Sequence, residues 1–260
     1  MLSNNQIKHI HSLQQKRYRS ELKQFVAEGN TLVRDLISSS FKAQMIAATK
    51  VWLDSNSLLL NNCTTNIISV KESELQRIST LKTPNQVIGV FDIPEIAVDM
   101  KYITTHLSIA LDDIKDPGNL GTIIRIADWF GIKNIINSPE TVDVYNSKVI
   151  QATMGSIARV NIFYTALEDF FKSIQSKVKI YGTFLDGESV YTKNLDEKAI
   201  ILIGNESKGI SKELLPYIHE KLLIPSYSAC ETKSKAESLN ASVATAIICS
   251  EIRRRESRKP

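Results

Sequence analysis

Cysteine and histidine are scarce in this chain, with three and four in 260 residues. Cys63, Cys230 and Cys249 stand far apart, without zinc-ligand spacing or the even count of a disulfide framework, and read as reduced thiols. His9 and His11 lie in a polar N-terminal segment, while His106 and His219 have no Cys or His nearby at ligand spacing, so no metal site is expected. Long apolar runs are missing too: none reaches the roughly 18 residues of a membrane-spanning helix. The polar start Met1-Leu2-Ser3-Asn4-Asn5 lacks the apolar segment of a signal peptide, and the expectation is a soluble cytoplasmic protein. There is no internal repeat. No Gly-x-Gly-x-x-Gly follows a first strand, which argues against a nicotinamide-dependent dehydrogenase.

What is present suffices for a sizeable core. With 43% hydrophobic and 23% charged residues over this length, two compact domains are expected. The formal charge of +4 permits an anionic partner without requiring one. Its distribution says more: Lys16-Arg17-Tyr18-Arg19 joins three cations to an aromatic ring, and Arg253-Arg254-Arg255, Arg258 and Lys259 make the C-terminus basic. Both clusters suit phosphate contacts, with Tyr18 able to stack on a base; a solvated face and a frayed tail explain them equally well.

The two halves differ in pattern. The first reads as a polar helix over Asn4–Gln15, a strand at Phe25–Ala27, an amphipathic helix over Gly29–Ser38, a strand at Ala43–Ala47, helical stretches near 50–60 and 72–81, and strands near 66–70 and 86–91. This makes a small α/β unit of roughly 80 residues, closed by Asp92-Ile93-Pro94-Glu95. From Leu107 apolar strands alternate with helices, the pattern of a mostly parallel sheet covered on both faces. Strands are expected at 107–111, 133–136, 160–163, 179–184, 199–203 and 221–224, and helices at 120–130, 145–154, 167–175, 211–215 and 237–254. The domains are then 1–97 and 98–260.

Three strand-to-loop junctions in the second half carry polar residues. In Leu111-Asp112-Asp113-Ile114-Lys115-Asp116-Pro117-Gly118-Asn119-Leu120-Gly121, a helix is expected to begin near Asn119, which can cap it, with Arg125 about two turns along. Ile203-Gly204-Asn205-Glu206-Ser207-Lys208-Gly209-Ile210 places a carboxylate in a loop after a strand, where α/β sheets bind ligands. Ile224-Pro225 leads through a polar loop to Ser238-Leu239-Asn240, with Ser234 and Glu237 fitting a capping box. Taken singly, each has a purely structural explanation as a cap or a turn.

Together and in this order, Asn119…Arg125, Gly204-Asn205-Glu206…Gly209-Ile210 and Ile224-Pro225…Ser238-Leu239-Asn240 resemble the three motifs of the SpoU (TrmH-type) RNA ribose 2′-O-methyltransferases of the SPOUT superfamily. The first half, with Phe25-Val26-Ala27-Glu28-Gly29 before a helix, is similar to that family's substrate-binding domain, itself like a small ribosomal RNA-binding protein. The resemblance implies an α/β parallel-sheet catalytic domain closed by a deep trefoil knot. It implies S-adenosylmethionine bound near Thr183, Phe184, Leu185, Gly204, Ile224 and Leu239. It further implies a homodimer, and a site of Arg125, Asn119, Glu206, Ser238 and Asn240 acting on a ribose 2′-hydroxyl. The RNA is expected to be ribosomal, with transfer RNA as the alternative, and Lys16, Arg17, Tyr18 and Arg19 to contact it. A base acceptor and an inactive RNA-binding module of the same fold are the other readings; the Ser-Leu-Asn motif favours ribose. One departure is the stretch 226–237, longer than the loop usual in the family.

Overall fold

The computed structural model describes residues 1–61, 63, 65–227 and 238–256. The chain divides into two compact units: Met1–Glu95 with Asp143–Arg159, and Ile96–Val142 with the chain from Val160 onward.

In the first unit α1 (Asn4–Ser12) starts at a capping box between Ser3 and Gln6. It ends at Ser12, short of the expected Gln15, and Lys16 to Arg19 lie on a helix absent from the sequence expectation, α2 (Lys16–Leu22), ended by the left-handed Lys23. There follow β1 (Gln24–Glu28), α3 (Asn30–Ile37), β2 (Ala43–Ala48), α4 (Lys50–Ser55), α5 (Ser57–Leu60), β3 (Asn66–Ser69), α6 (Glu72–Ile78) and β4 (Val87–Asp92). The sheet order is β1-β4-β2-β3, with β4 antiparallel to β1 and β2, and β2 parallel to β3. Ile10, Leu13, Val26, Ala47, Leu75 and Ile88 form one buried cluster, which is why α1 and α6 lie on this sheet.

The second unit contains α7 (Met100–Thr105), absent from the sequence expectation, then β5 (Ser108–Leu111), α8 (Pro117–Trp129) and β6 (Asn134–Asn137). After Val142 the chain contributes α9 (Ser147–Thr153) to the first unit, and returns with β7 (Asn161–Tyr164), α10 (Leu167–Ile174), β8 (Lys179–Ser189), β9 (Ala199–Ile203), β10 (Glu220–Leu223) and α11 (Ala241–Glu256). The stretch expected as a helix at 211–215 is a 3-10 helix, Lys212–Tyr217, with Pro216 inside it. The sheet runs β10-β8-β9-β5-β6-β7, every pair parallel. β5 and β9 are fully buried, as the unbroken apolar runs required. Among the described residues no helix is long and apolar enough to cross a membrane.

The 97/98 division gave no hint that Asp143–Arg159 joins the first unit. Local pattern cannot reveal it, because long-range pairs hold it there. Arg19 binds Asp143 at 2.6 Å, Arg159 binds Asp35 at 2.9 Å, and the rings of Phe25 and Tyr145 lie 4.8 Å apart.

Candidate active site

Chain order places the site before any side chain is considered. From β5 the sheet grows through β6 to β7 in one direction and through β9 and β8 to β10 in the other, so the topological switch point, where such sheets bind ligands, lies at the carboxyl ends of β5 and β9. Leu111 and Ile203, the last residues of these strands, are register partners. The loops that follow them, 112–116 and 204–211, therefore start side by side.

The first loop ends in α8, whose start differs from the expectation. Asp116, not Asn119, is the cap: its Oδ1 accepts from the Asn119 N–H at 2.8 Å, and Pro117 fills the first helical position, where no N–H is needed. Freed from capping, the Asn119 amide works sideways. Its Nδ2 donates to Glu206 Oε1 at 2.9 Å, and its Oδ1 accepts from Asn240 Nδ2 at 2.7 Å. Asn240 is itself fixed, because its Oδ1 accepts from the Ser242 N–H at 2.9 Å and the Val243 N–H at 3.3 Å in the first turn of α11. Three stretches more than a hundred residues apart at their extremes thus meet in one hydrogen-bond chain, Asn240 to Asn119 to Glu206. The capping box of Ser234 and Glu237 lies outside the described residues.

Glu206 sits in a loop that closes on itself: Asn205 N–H donates to Gly209 O at 3.0 Å and Gly209 N–H to Asn205 O at 2.9 Å. Gly204 is obligatory here, since a Cβ would stand 2.3 Å from the Gly209 carbonyl carbon, and Gly209 takes φ +70°. Arg125 is exposed on α8, and Ser238 is exposed and outside the hydrogen-bond chain. Of the other residues singled out, Thr183 donates to Leu202 O at 3.3 Å, Phe184 packs against the core with its ring under Lys221, and Ile224 is half-buried. Leu185 and Leu239 are large apolar side chains left 71% and 49% exposed. Asp112, Asp113, Asn205 and Ser211, which hold these loops, were not singled out in the sequence; the acid doublet directly after an apolar strand was the available signal.

In the first unit Lys16, Arg17 and Tyr18 are exposed, but Arg19 is not a phosphate contact. It is 3% exposed, and its guanidinium donates to Asp143 and to the carbonyls of Leu13 and Gln14. The C-terminal basic run is likewise committed inward: Arg253 donates to Phe130 O, and Arg255 to Glu251 and to the carbonyls of Val190, Tyr191 and Lys193. Arg258, Lys259 and Cys230 lie outside the described residues.

The chain is similar to known proteins along nearly its whole length. The MRM3-like substrate binding domain model matches residues 4–89. The chain is 27% identical to the 23S rRNA (guanosine(2553)-2′-O)-methyltransferase RlmP of Bacillus subtilis, covering 96% of both. A solved structure from Porphyromonas gingivalis, described as a TrmH-family RNA methyltransferase, is 36% identical with a TM-score of 0.84, covering 98% of this chain and 99% of that one. An AdoMet-bound rRNA methyltransferase from Sinorhizobium meliloti is 30% identical, also at 0.84, covering 98% and 96%. The loops at 112–119 and 204–211 and the start of α11 all fall inside residues 106–250, the span matched by the SpoU rRNA methylase model, and the chain belongs to that family.

Proposed function

We propose that this protein transfers a methyl group from S-adenosylmethionine to a ribose 2′-hydroxyl of ribosomal RNA. The observation that carries the reading is the Asn240–Asn119–Glu206 chain, which gathers three polar stretches at the switch point of a parallel sheet. Ribosomal RNA is favoured over transfer RNA by the similarity to RlmP along nearly the whole of both chains.

The residues fit the cofactor. Leu185 and Leu239 leave large apolar side chains exposed and Ile224 is half-buried, surface that an adenosyl group would cover, and in this reading Thr183, Phe184 and the Gly204 backbone join them. When bound, S-adenosylmethionine supplies a methyl group activated by its sulfonium. The protein's part is orientation. A guanidinium has five N–H donors and no acceptor, so Arg125 holds the target nucleotide rather than accepting a proton. Glu206 has one oxygen engaged by Asn119, leaving the other for the substrate hydroxyl or for Arg125. Asn240 fixes Asn119, and Ser238 stands at the rim. Lys16, Arg17 and Tyr18 would bind the RNA, since a 2′-hydroxyl is common to every nucleotide and selection must come from elsewhere. The reading also includes a C-terminal segment threaded as a trefoil knot and a homodimer; exposed Trp129 on α8 and Val243 on α11 support the latter.

Incubation with radiolabelled S-adenosylmethionine and unmodified ribosomal or transfer RNA, followed by nuclease digestion, tests the proposal. Label in a 2′-O-methyl nucleoside of ribosomal RNA, lost in Arg125→Ala, is expected. Label on a base, or none in ribosomal RNA, would overturn it.

A further inference from the structure

We infer that the doublet Asp112-Asp113 is a two-point clamp on the loop 204–211, and that Asp112 is a positioning residue for Glu206. The inference rests on the reading of the site given above. The loop is tied across its own neck by the Asn205–Gly209 pair, so the place of Glu206 within it is set by where the loop's two ends are held.

Those ends are held by adjacent residues. Asp112 is 4% exposed at the end of β5; its Oδ2 accepts from the Ser211 N–H at 2.7 Å, and its own N–H donates to Ile203 O at 2.9 Å. Asp113 takes the other end, with its carbonyl oxygen accepting from Asn205 Nδ2 at 2.7 Å and its carboxylate from the same nitrogen at 3.3 Å. In an extended strand neighbouring side chains point to opposite faces. Asp113 escapes that rule by adopting φ +58°, an uncommon left-handed conformation for a residue other than glycine. Its N–H donates to Ser138 Oγ at 3.0 Å, and Lys115 pairs with its carboxylate.

The same stretch positions the other half of the contact. Three residues beyond Asp113, Asp116 caps α8 and sets the place of Asn119, the donor to Glu206. One run from Asp112 to Asn119 therefore fixes both ends of the Asn119–Glu206 hydrogen bond. Keeping the Asp112 carboxylate buried is costly: burial pushes its carboxyl up from the ordinary range, and only the Ser211 N–H and hydroxyl pull it back. An apolar residue would fill the space without that cost but would leave the Ser211 N–H unpaired and the loop unheld.

The test is a double-mutant cycle in the full chain, assayed by methyl transfer to ribosomal RNA. Asp112→Ala is expected to lower kcat by roughly ten- to a hundredfold, the scale of a lost hydrogen bond to a charged group, with KM for RNA little changed. Asp112→Asn, which keeps an acceptor for the Ser211 N–H, restores most of the rate. If Asp112 acts through Glu206, adding Asp112→Ala to Glu206→Ala costs nothing further; effects that multiply would overturn the inference. Should Asp112→Ala not fold, Ser211→Ala, which removes only the hydroxyl donor, enters the same cycle with the same criterion. Hydrogen exchange judges the clamp without turnover. Faster exchange confined to 204–211 in Asp112→Ala supports it, and unchanged exchange overturns it. A wild-type protein that shows no transfer although its loop is held would overturn the functional reading alone.

Discussion

Two arginines a helical half-turn apart on α2 have opposite environments, and their substitutions should separate cleanly. Arg19 is buried, and its removal strands the Asp143 carboxylate along with the carbonyls of Leu13 and Gln14. Breaking such a pair from one side leaves an uncompensated charge, so Arg19→Met should cost about 2–4 kcal/mol in urea unfolding. Arg17 is exposed, and Arg17→Ala should leave the unfolding midpoint in place while weakening RNA binding and reducing its salt dependence by about one phosphate contact. The reverse pattern would place the RNA surface elsewhere. Cys249 shows the same lesson in a neutral group: burial pushes its thiol up to about 12, so it is an inert packing residue. Neither environment could be read from the sequence, where Lys16-Arg17-Tyr18-Arg19 is four polar neighbours and a cysteine is only a cysteine.

Most elements of both sheets were legible, because periodicity and punctuation act locally: the buried runs of β5 and β9 and the amphipathic α3 and α10 lie where their apolar spacing put them. The start of α8 was misjudged because two polar residues competed for one cap, and Pro117 at the first helical position settles it for Asp116. That shift matters chemically, for with Asp116 as the cap the Asn119 amide is aimed at Glu206 and Asn240 rather than back at its own helix. Asn119→Asp keeps that acceptor but turns the donor facing Glu206 into a second carboxylate oxygen. The expected result is a transfer rate lower by at least about tenfold with the fold retained by circular dichroism. At the far end of α11, Arg254 first and Arg255 next hold the Glu251 carboxyl down at about 2. Its folded value lies below the unfolded one, so the stability it contributes is complete above about pH 4.5 and is lost as pH falls toward 2. Glu251→Gln should therefore flatten the acid limb of the stability curve in that window, measured as unfolding midpoint against pH.

Across the whole molecule the sequence could indicate two units but not that the first borrows Asp143–Arg159 from the middle of the second's sequence, because the Arg19–Asp143 and Asp35–Arg159 pairs each span 124 positions. The proposed second copy of the chain would be equally invisible to periodicity, and the trace expected of it is exposed apolar surface. Trp129 closes α8 with 85% of its surface exposed, one turn beyond Arg125, and α11, packed along α8, exposes Val243. An indole left in water forfeits the burial of roughly 200 Å² of mostly apolar surface, whereas a symmetric partner would cover the same patch on both copies. In light scattering the protein should then have twice its chain mass of 29.1 kDa. Trp129→Lys should return it to the single-chain value with unchanged circular dichroism, and should lower methyl transfer, because Arg125 shares the helix face being uncovered. A wild-type mass of one chain at assay concentration would remove the homodimer from the proposal. A dimer that survives Trp129→Lys would move the interface to another face of the unit.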